Sequence, residues 1–194
     1  MRKLTVHQYT SLAILIITLA IALGRHYGWL HTGVQQAITH DPNLYTVNHF
    51  IDGDTISVTM NGKAQTIRFI GVDTPETHKP HTPVQCYGEQ AAAFTKAHIQ
   101  AQGNRVRLQA DPVSDNRDVY GRLVRYVYLP DGQLLDELLI QNGEGFAYTY
   151  YPFTKSGNFS RAQTEAQASK KGLWGACKPY QEAGSRWQTQ PAGA

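Results

Sequence analysis

Between residues 44 and 129 the sequence repeats one pattern: short runs rich in β-branched and aromatic residues, separated by Gly, Asp and Asn. Runs of this length and composition predict β-strands. We place five strands at about 44–51, 54–60, 64–73, 105–111 and 122–129. Asn61 and Gly62 lie between the second and third runs and favour a tight type I′ hairpin, because both residues tolerate positive φ.

Three segments have the composition and spacing of helices. They cover about 87–101, 133–142 and Ser160–Lys171. Ser160 could cap the start of the third helix, and a glycine directly follows the second and third segments. One helix inserted among five strands, with two helices after them, predicts an α+β, mainly β fold: a five-stranded OB-fold β-barrel, a shape that recurrently binds oligonucleotides.

Residues 1–30 have the features of an export signal. Arg2 and Lys3 precede an apolar run at 12–23, and this order is typical of a targeting segment. A cleaved signal peptide and a retained membrane anchor both fit; an anchor is favoured slightly because no small-x-small triplet follows the apolar run. We expect a protein that is exported to the periplasm or the medium, and N-terminal sequencing of the mature protein would distinguish the two fates.

The rest of the chain divides into a linker at 31–43, a folded domain at 44–177 and a flexible tail at 178–194. The formal net charge is +3 for 18 basic and 15 acidic residues. Three of the basic residues lie within the first 40 positions, so 15 basic and 15 acidic residues remain in the rest. Global charge therefore gives no support for a nucleic-acid partner, and any such function depends on a local arrangement of side chains.

The two cysteines, Cys86 and Cys177, have neither CxxC nor Cys/His spacing, so a zinc site is not predicted. In an oxidising compartment they could form one disulfide, whereas in the cytosol they would remain thiols. His78 and His81 have H-x-x-H spacing, but Pro80 between them argues against helical metal-ligand geometry.

Three charged clusters interrupt the strand pattern: IDGDT at 51–55, VDTPE at 72–76 and DVYGR at 118–122. Taken singly, each has a structural explanation, because Asp-Gly, Thr-Pro and Tyr-Gly pairs are common in turns. Taken together, they supply hard oxygen ligands and rigid guanidinium groups. The residues concerned are Asp54, Asp73, Glu76 and Arg122, together with Arg68 in the strand that leads into the second cluster.

This combination suits metal-assisted attack on a phosphodiester. The phosphate is anionic, so an incoming hydroxide is repelled unless cations offset the charge, and guanidinium groups match phosphate geometry. Oxygen-only ligands on flexible loops favour calcium over zinc. A remaining carboxylate can accept the proton from water, and Glu76 is the natural candidate.

Simple strand alternation conflicts with a site that contains both Arg68 and Asp73. Residues five positions apart lie on opposite faces of a regular strand. Gly71 lies between them, and an internal glycine often marks a bulge. We therefore expect an irregularity at Gly71 that returns both side chains to one side.

The same residues carry a resemblance to the staphylococcal nuclease-like thermonucleases. The similar stretches are VNHFIDGDTISV, IRFIGVDTPET, YGEQAAAFTK, DVYGRLVRYVY, FAYTYY and EAQASKKGLW, which cover about 44–177 in the family's order. The resemblance implies an OB-fold barrel with three helices that cleaves DNA and RNA to leave 3′-phosphates. It also implies calcium as cofactor, and we expect a monomer with no protein partner and a membrane contact only through an uncleaved N-terminal segment.

By the same resemblance, Asp54 and Asp73 correspond to the calcium carboxylates, and Thr74 to a ligand through its main-chain carbonyl. Arg68 and Arg122 correspond to the phosphate-binding arginines, and Glu76 to the general base. The aromatic residues of the nucleotide pocket correspond to Tyr120, Tyr148 and Tyr150, for which barrel-edge packing is the alternative.

The sequence also departs from the family pattern. Val119 stands where the best-known member has lysine, which removes one phosphate contact. That member has no counterpart of Cys86 and Cys177, although exported relatives often carry such a pair, which would tie the loop before the first helix to the C-terminal region. The alternative function is a catalytically inactive OB-fold module that binds nucleic acid or protein; such members typically lose the acidic residues that this chain keeps.

Overall fold

The computed structural model describes residues 44–77, 83–181 and 186–193. The predicted export segment at 1–30, the predicted linker at 31–43, and His78 and His81 lie outside these ranges. None of the helices in the described part of the chain is both long and apolar enough to cross a membrane.

Five strands close into a barrel, in agreement with the prediction. They are β1 (Leu44–Asp52), β2 (Thr55–Met60), β3 (Lys63–Phe69), β5 (Arg105–Gln109) and β6 (Leu123–Tyr128). The order around the barrel is β1-β2-β3-β6-β5. All neighbours pair antiparallel except β3 and β6, which pair parallel with Arg68 opposite Val124.

Hydrophobic alternation explains why these segments form the barrel. In β3, Ile67 and Phe69 are fully buried, whereas Arg68 between them is only partly buried and projects to the other face. The hairpin between β2 and β3 has Asn61 and Gly62 at positive φ values of 51° and 72°, as the turn signal predicted.

Helices pack against the barrel and against one another. They are α1 (Gly88–Ala101), α2 (Leu135–Gln141), α3 (Ser156–Ala168) and the short α4 (Leu173–Ala176). Buried residues of α1 recur every three or four positions, at Gly88, Ala91, Thr95 and Ile99, so this face packs on the core. The prediction of about three helices is confirmed.

The third helix begins earlier than predicted. It starts at Ser156 rather than Ser160, and Ser160 is an exposed residue within the helix rather than its cap. The chain before the helix is fixed by distant side chains, because the Asp111 carboxylate accepts the Thr154 N–H at 2.8 Å and the Tyr126 hydroxyl accepts the Lys155 N–H at 3.2 Å. Local sequence carries no sign of these contacts.

The predicted strand at 64–73 is divided in two by a turn at Ile70 and Gly71. A short strand β4 (Val72–Asp73) follows the turn and pairs with β7 (Phe146–Ala147) outside the barrel. Gly71 has a φ of 68°. A Cβ here would overlap the ring of Phe153 and would lie 2.9 Å from Phe159 Cδ2, so both the backbone and the packing require glycine.

Replacing Gly71 with alanine should therefore destabilise the protein by about 2–5 kcal/mol, of which about 1–2 comes from the left-handed backbone and the rest from overpacking. Urea unfolding of the two proteins measures the difference. Gly62→Ala is the matched control, because Gly62 has a similar φ of 72° but nothing within 4 Å of its Cβ position. Equal losses in the two variants would contradict the packing argument.

The C-terminal residues make defined contacts, in contrast to the flexible tail predicted from the sequence. Strands β8 (Tyr180–Gln181) and β9 (Trp187–Gln188) pair with each other. Pro191 bridges to Gln85, and Thr189 is almost fully buried. The polar composition of this segment did not indicate that it packs against the domain.

Candidate active site

The three charged clusters of the sequence meet at one cleft. The turn after β1 carries Asp54, strands β3 and β4 carry Arg68 and Asp73, the loop after β4 carries Glu76, and the residue before β6 is Arg122. The cleft has a volume of about 1020 Å³. Of the residues predicted from the sequence, its lining includes Asp54, Arg68, Asp73, Glu76, Tyr120, Arg122 and Tyr148.

Arg68 holds the first two clusters together. Its Nη1 lies 2.8 Å from Asp54 Oδ2, and its Nη2 donates to Asp73 Oδ1 at 2.8 Å. The three side chains are only 9–12% exposed. Burial opposes the charged form of the guanidinium, but the two carboxylates more than offset it, so the pKa of Arg68 is raised. The turn at Gly71 is what brings Asp73 back to the face of Arg68.

Asp54 is fixed by hydrogen bonds to both of its oxygens. Thr55 Oγ1 donates to Oδ1 at 2.8 Å, and the Thr74 N–H and hydroxyl donate to Oδ2 at 2.9 and 3.2 Å. Gly53 permits this approach, because a Cβ there would lie 2.8 Å from Thr74 Oγ1. Helix α1 supports the same turn through Thr95, whose hydroxyl donates to the Gly53 carbonyl at 2.5 Å. Thr74 is buried behind Asp54 and is not among the described lining residues.

A fourth carboxylate, Asp52, lies beside these residues and lines the same cleft. Burial raises the pKa of Asp52 and of Glu76, and neighbouring carboxylates raise each further. Burial also raises the pKa of Asp73, which Arg68 opposes. Negative charge thus remains in excess after Arg68 is counted. The Asp-Gly-Asp motif contained Asp52, but the strand pattern gave no reason to select it.

The donor chemistry fits a hard divalent cation. The available groups are carboxylate and carbonyl oxygens, the ligands that calcium prefers, and the mutual repulsion of the carboxylates would be relieved by a bound cation. Among the described side chains, no group of three His, Cys, Asp or Glu residues is arranged to hold a metal ion. The predicted ligand set contains two carboxylates, Asp54 and Asp73, and one main-chain carbonyl, at Thr74, so it would not form such a group.

The third cluster orients Arg122. The Asp118 carboxylate accepts Arg122 Nε at 2.6 Å with one oxygen, and with the other it accepts the N–H groups of Tyr120 and Arg122 at 3.0 and 2.9 Å. The guanidinium also lies 5.4 Å from the centre of the Tyr120 ring. That ring is 81% exposed, which leaves it accessible to a planar ligand. Val119 beside it is 93% exposed and also lines the cleft.

The other two predicted tyrosines have different surroundings. Tyr148 lines the cleft, and its ring centre lies 5.1 Å from that of Tyr150 and 5.4 Å from that of Tyr151. Tyr150 is not among the described lining residues, and its hydroxyl accepts Gln181 Nε2 at 2.8 Å. Tyr151, which the sequence did not single out, lines the cleft and accepts the Gly71 N–H at 3.0 Å.

Arg186 is a further cleft residue that the sequence did not indicate. Its Nη1 lies 3.3 Å from Asp73 Oδ2. It belongs to the C-terminal segment that follows a disulfide between Cys86 and Cys177. The polar sequence around Arg186 contains no motif, so only the three-dimensional structure could reveal its position.

Comparison with known proteins identifies relatives that match about two thirds of the chain. A family model described as staphylococcal nuclease homologue matches residues 66–176. A thermonuclease of Staphylococcus hyicus is 46% identical over 131 residues, which are 67% of this chain and 75% of that protein. The endonuclease YncB of Bacillus subtilis strain 168 is 43% identical over 66% of this chain and 60% of its own length. The SPbeta prophage-derived endonuclease YokF of the same strain is 41% identical over 66% of this chain and 43% of its own length. On this similarity, together with the barrel and its cleft, the chain belongs to the staphylococcal nuclease family.

Proposed function

We propose that this protein is a calcium-dependent phosphodiesterase that hydrolyses DNA, RNA or both within the chain and leaves 3′-phosphate products. The observation that carries the proposal is the convergence of Asp54, Asp73 and Glu76 with Arg68 and Arg122 on one cleft. The names of the relatives, a thermonuclease and two endonucleases, support the same reaction class.

Asp54, Asp73 and the Thr74 carbonyl would hold the calcium ion. When bound, calcium would supply positive charge next to the scissile phosphate and reduce its repulsion of the nucleophile. The hydrogen bonds from Thr55 and Thr74 keep the Asp54 carboxylate in one orientation, which lowers the cost of assembling the ligands.

Glu76 is the proposed general base. Its side chain lines the cleft, while its main-chain N–H donates to Gln85 Oε1 at 2.8 Å and its carbonyl accepts the Gln85 N–H at 2.9 Å, so the loop that carries it is held in place. Glu76 would accept a proton from the water that attacks phosphorus. The bond from phosphorus to the 5′ oxygen would then break, the 5′ oxygen would take up a proton and leave as a hydroxyl group, and the phosphate would stay on the 3′ side.

Arg68 and Arg122 would offset the charge that develops on the phosphate. Arg68 is enclosed by carboxylates and 12% exposed, whereas Arg122 is 30% exposed at the cleft surface. Arg122 is therefore the residue with more access to an entering phosphate. Tyr120, Tyr148 and Tyr150 would contact the nucleotides next to the cleaved bond through stacking or through their hydroxyl groups.

Removal of calcium tests this proposal. Denatured DNA incubated with the full-length protein should be cleaved in calcium, and addition of EGTA should stop the reaction because it removes the calcium ion that the proposed ligands would hold. End labelling of the products should show 3′-phosphates. Binding of DNA without any EGTA-sensitive cleavage would instead indicate a catalytically inactive binding module, and activity that survives EGTA but not a zinc chelator would indicate a different metal.

A further inference from the structure

The C-terminal strap, defined as residues 178–181 and 186–193, lies beyond the part of the chain that the family model matches, which ends at residue 176. The Cys86–Cys177 disulfide joins the chain just before the strap to the segment preceding α1. Main-chain hydrogen bonds continue this attachment, from the Cys86 N–H to the Gln190 carbonyl and from the Ala192 N–H to the Val84 carbonyl, both at 2.8 Å. The strap is thus fixed to the folded domain at several points.

Aromatic packing holds the strap next to the cleft. The Trp187 ring stacks on Phe146 with ring centres 6.1 Å apart, and it meets Trp174 edge to face at 5.2 Å. Phe146 belongs to β7, which pairs with Asp73 in β4. The residue before Trp187 is therefore positioned by β7, the strand that pairs with the predicted calcium ligand Asp73 of β4.

That residue, Arg186, reaches the reacting part of the cleft. Its Nη1 lies 3.3 Å from Asp73 Oδ2, and its positive charge opposes the effect of burial on the pKa of both Asp73 and Glu76. The Arg186 side chain is 34% exposed, compared with 12% for Arg68. Arg186 thus brings a permanent positive charge to the open side of a cleft that is rich in carboxylates.

We propose that Arg186, in addition to Arg68 and Arg122, is a guanidinium of this active site that binds a phosphate of the nucleic-acid substrate. The inference depends on the proposed function, since it assigns a substrate contact to the same cleft. The physical reason is that carboxylates at the cleft repel a polyanion, and each arginine that contacts a phosphate offsets this repulsion and releases bound counterions. In this family member the strap would supply a contact from outside the part of the chain that the family model matches.

The test is the binding of a fluorescein-labelled single-stranded thymidine oligonucleotide, measured by anisotropy in EGTA at several salt concentrations. Arg186→Gln should weaken binding about fivefold at low salt and reduce the slope of log K against log salt by about 0.7, the value for one phosphate contact on a single strand. Arg161→Gln is the matched control, because Arg161 is an exposed arginine on α3 that does not line the cleft. In cleavage assays with calcium, Arg186→Gln should raise KM.

Each result decides between clear alternatives. A slope and affinity of Arg186→Gln equal to those of the control would overturn the inference while leaving calcium-dependent cleavage intact. Tighter binding or faster cleavage by Arg186→Gln would also overturn it, since the ion pair with Asp73 would then act as an inhibitory contact. If the unaltered protein binds the oligonucleotide but does not cleave DNA, the proposed reaction fails and the slope still tests Arg186; if it binds no oligonucleotide, both fail.

Discussion

Arg122→Lys should lower kcat by about 10²–10³, the usual loss when one preorganised donor to developing charge is removed. Asp118 fixes the guanidinium through Nε at 2.6 Å. Because the guanidinium is planar, this contact also fixes the direction of its two outer nitrogens. A lysine ammonium is a point charge on a flexible stem and cannot reproduce two parallel hydrogen bonds to a phosphate. Initial rates on denatured DNA in calcium would measure the loss.

The control for this prediction is Arg105→Lys, at an exposed position at the start of β5 that does not line the cleft. It should leave kcat unchanged. The thermal unfolding midpoint of Arg122→Lys should stay near that of the unaltered protein, because Arg122 and Asp118 are both partly exposed and such ion pairs contribute about 1 kcal/mol or less. An unchanged rate in Arg122→Lys would remove this residue from the proposed mechanism.

Glu76→Gln should reduce kcat by about 10²–10⁴, since the amide cannot accept a proton from the attacking water. Substrate binding should be spared. Gln85 holds the Glu76 main chain on both its N–H and its carbonyl, so a change confined to the side chain leaves the loop in place. Single-turnover cleavage, together with the oligonucleotide affinity in EGTA, separates the two effects.

Glu89→Gln is the companion variant, because Glu89 is an exposed carboxylate in the first turn of α1. Its rate should match that of the unaltered protein. If Glu76→Gln lost calcium affinity in a titration, or lost oligonucleotide binding while the bound substrate was still cleaved at the normal rate, Glu76 would be a structural or metal-binding residue instead of the base.

The barrel could be predicted from the sequence because the sequence signals that specify it are local. Residue alternation, the Asn61-Gly62 turn and glycines after helical segments each act within a few positions. The convergence of Asp54, Asp73 and Arg122 could be inferred from their combined chemistry and from the resemblance, but no local pattern specifies it. In the structure it results from strand pairing and from the turn at Gly71, which are contacts across the fold.

The remaining differences from the prediction have the same origin. The start of α3 depends on contacts from Asp111 and Tyr126, which lie more than 25 positions earlier in the chain. The place of Arg186 depends on the packing of Trp187 and on the disulfide. Sequence periodicity does not indicate such distant partners, so the polar segment 178–194 was predicted to be a flexible tail.

The parallel pairing of β3 with β6 has a consequence for how this protein can diverge. Arg68 and Val124 are register partners and share a face, and Arg122, two positions before Val124, falls on that face by alternation. The part of the loop between β5 and β6 that precedes Asn116 can therefore change length without reorienting Arg122, whereas Asn116 and Asp118 hold β6 and Arg122 directly. A single residue inserted between Arg122 and Val124 would shift the alternation of side chains by one position and turn the guanidinium to the opposite face. Changes in length are thus tolerated before Asn116 and constrained from Asn116 to Val124.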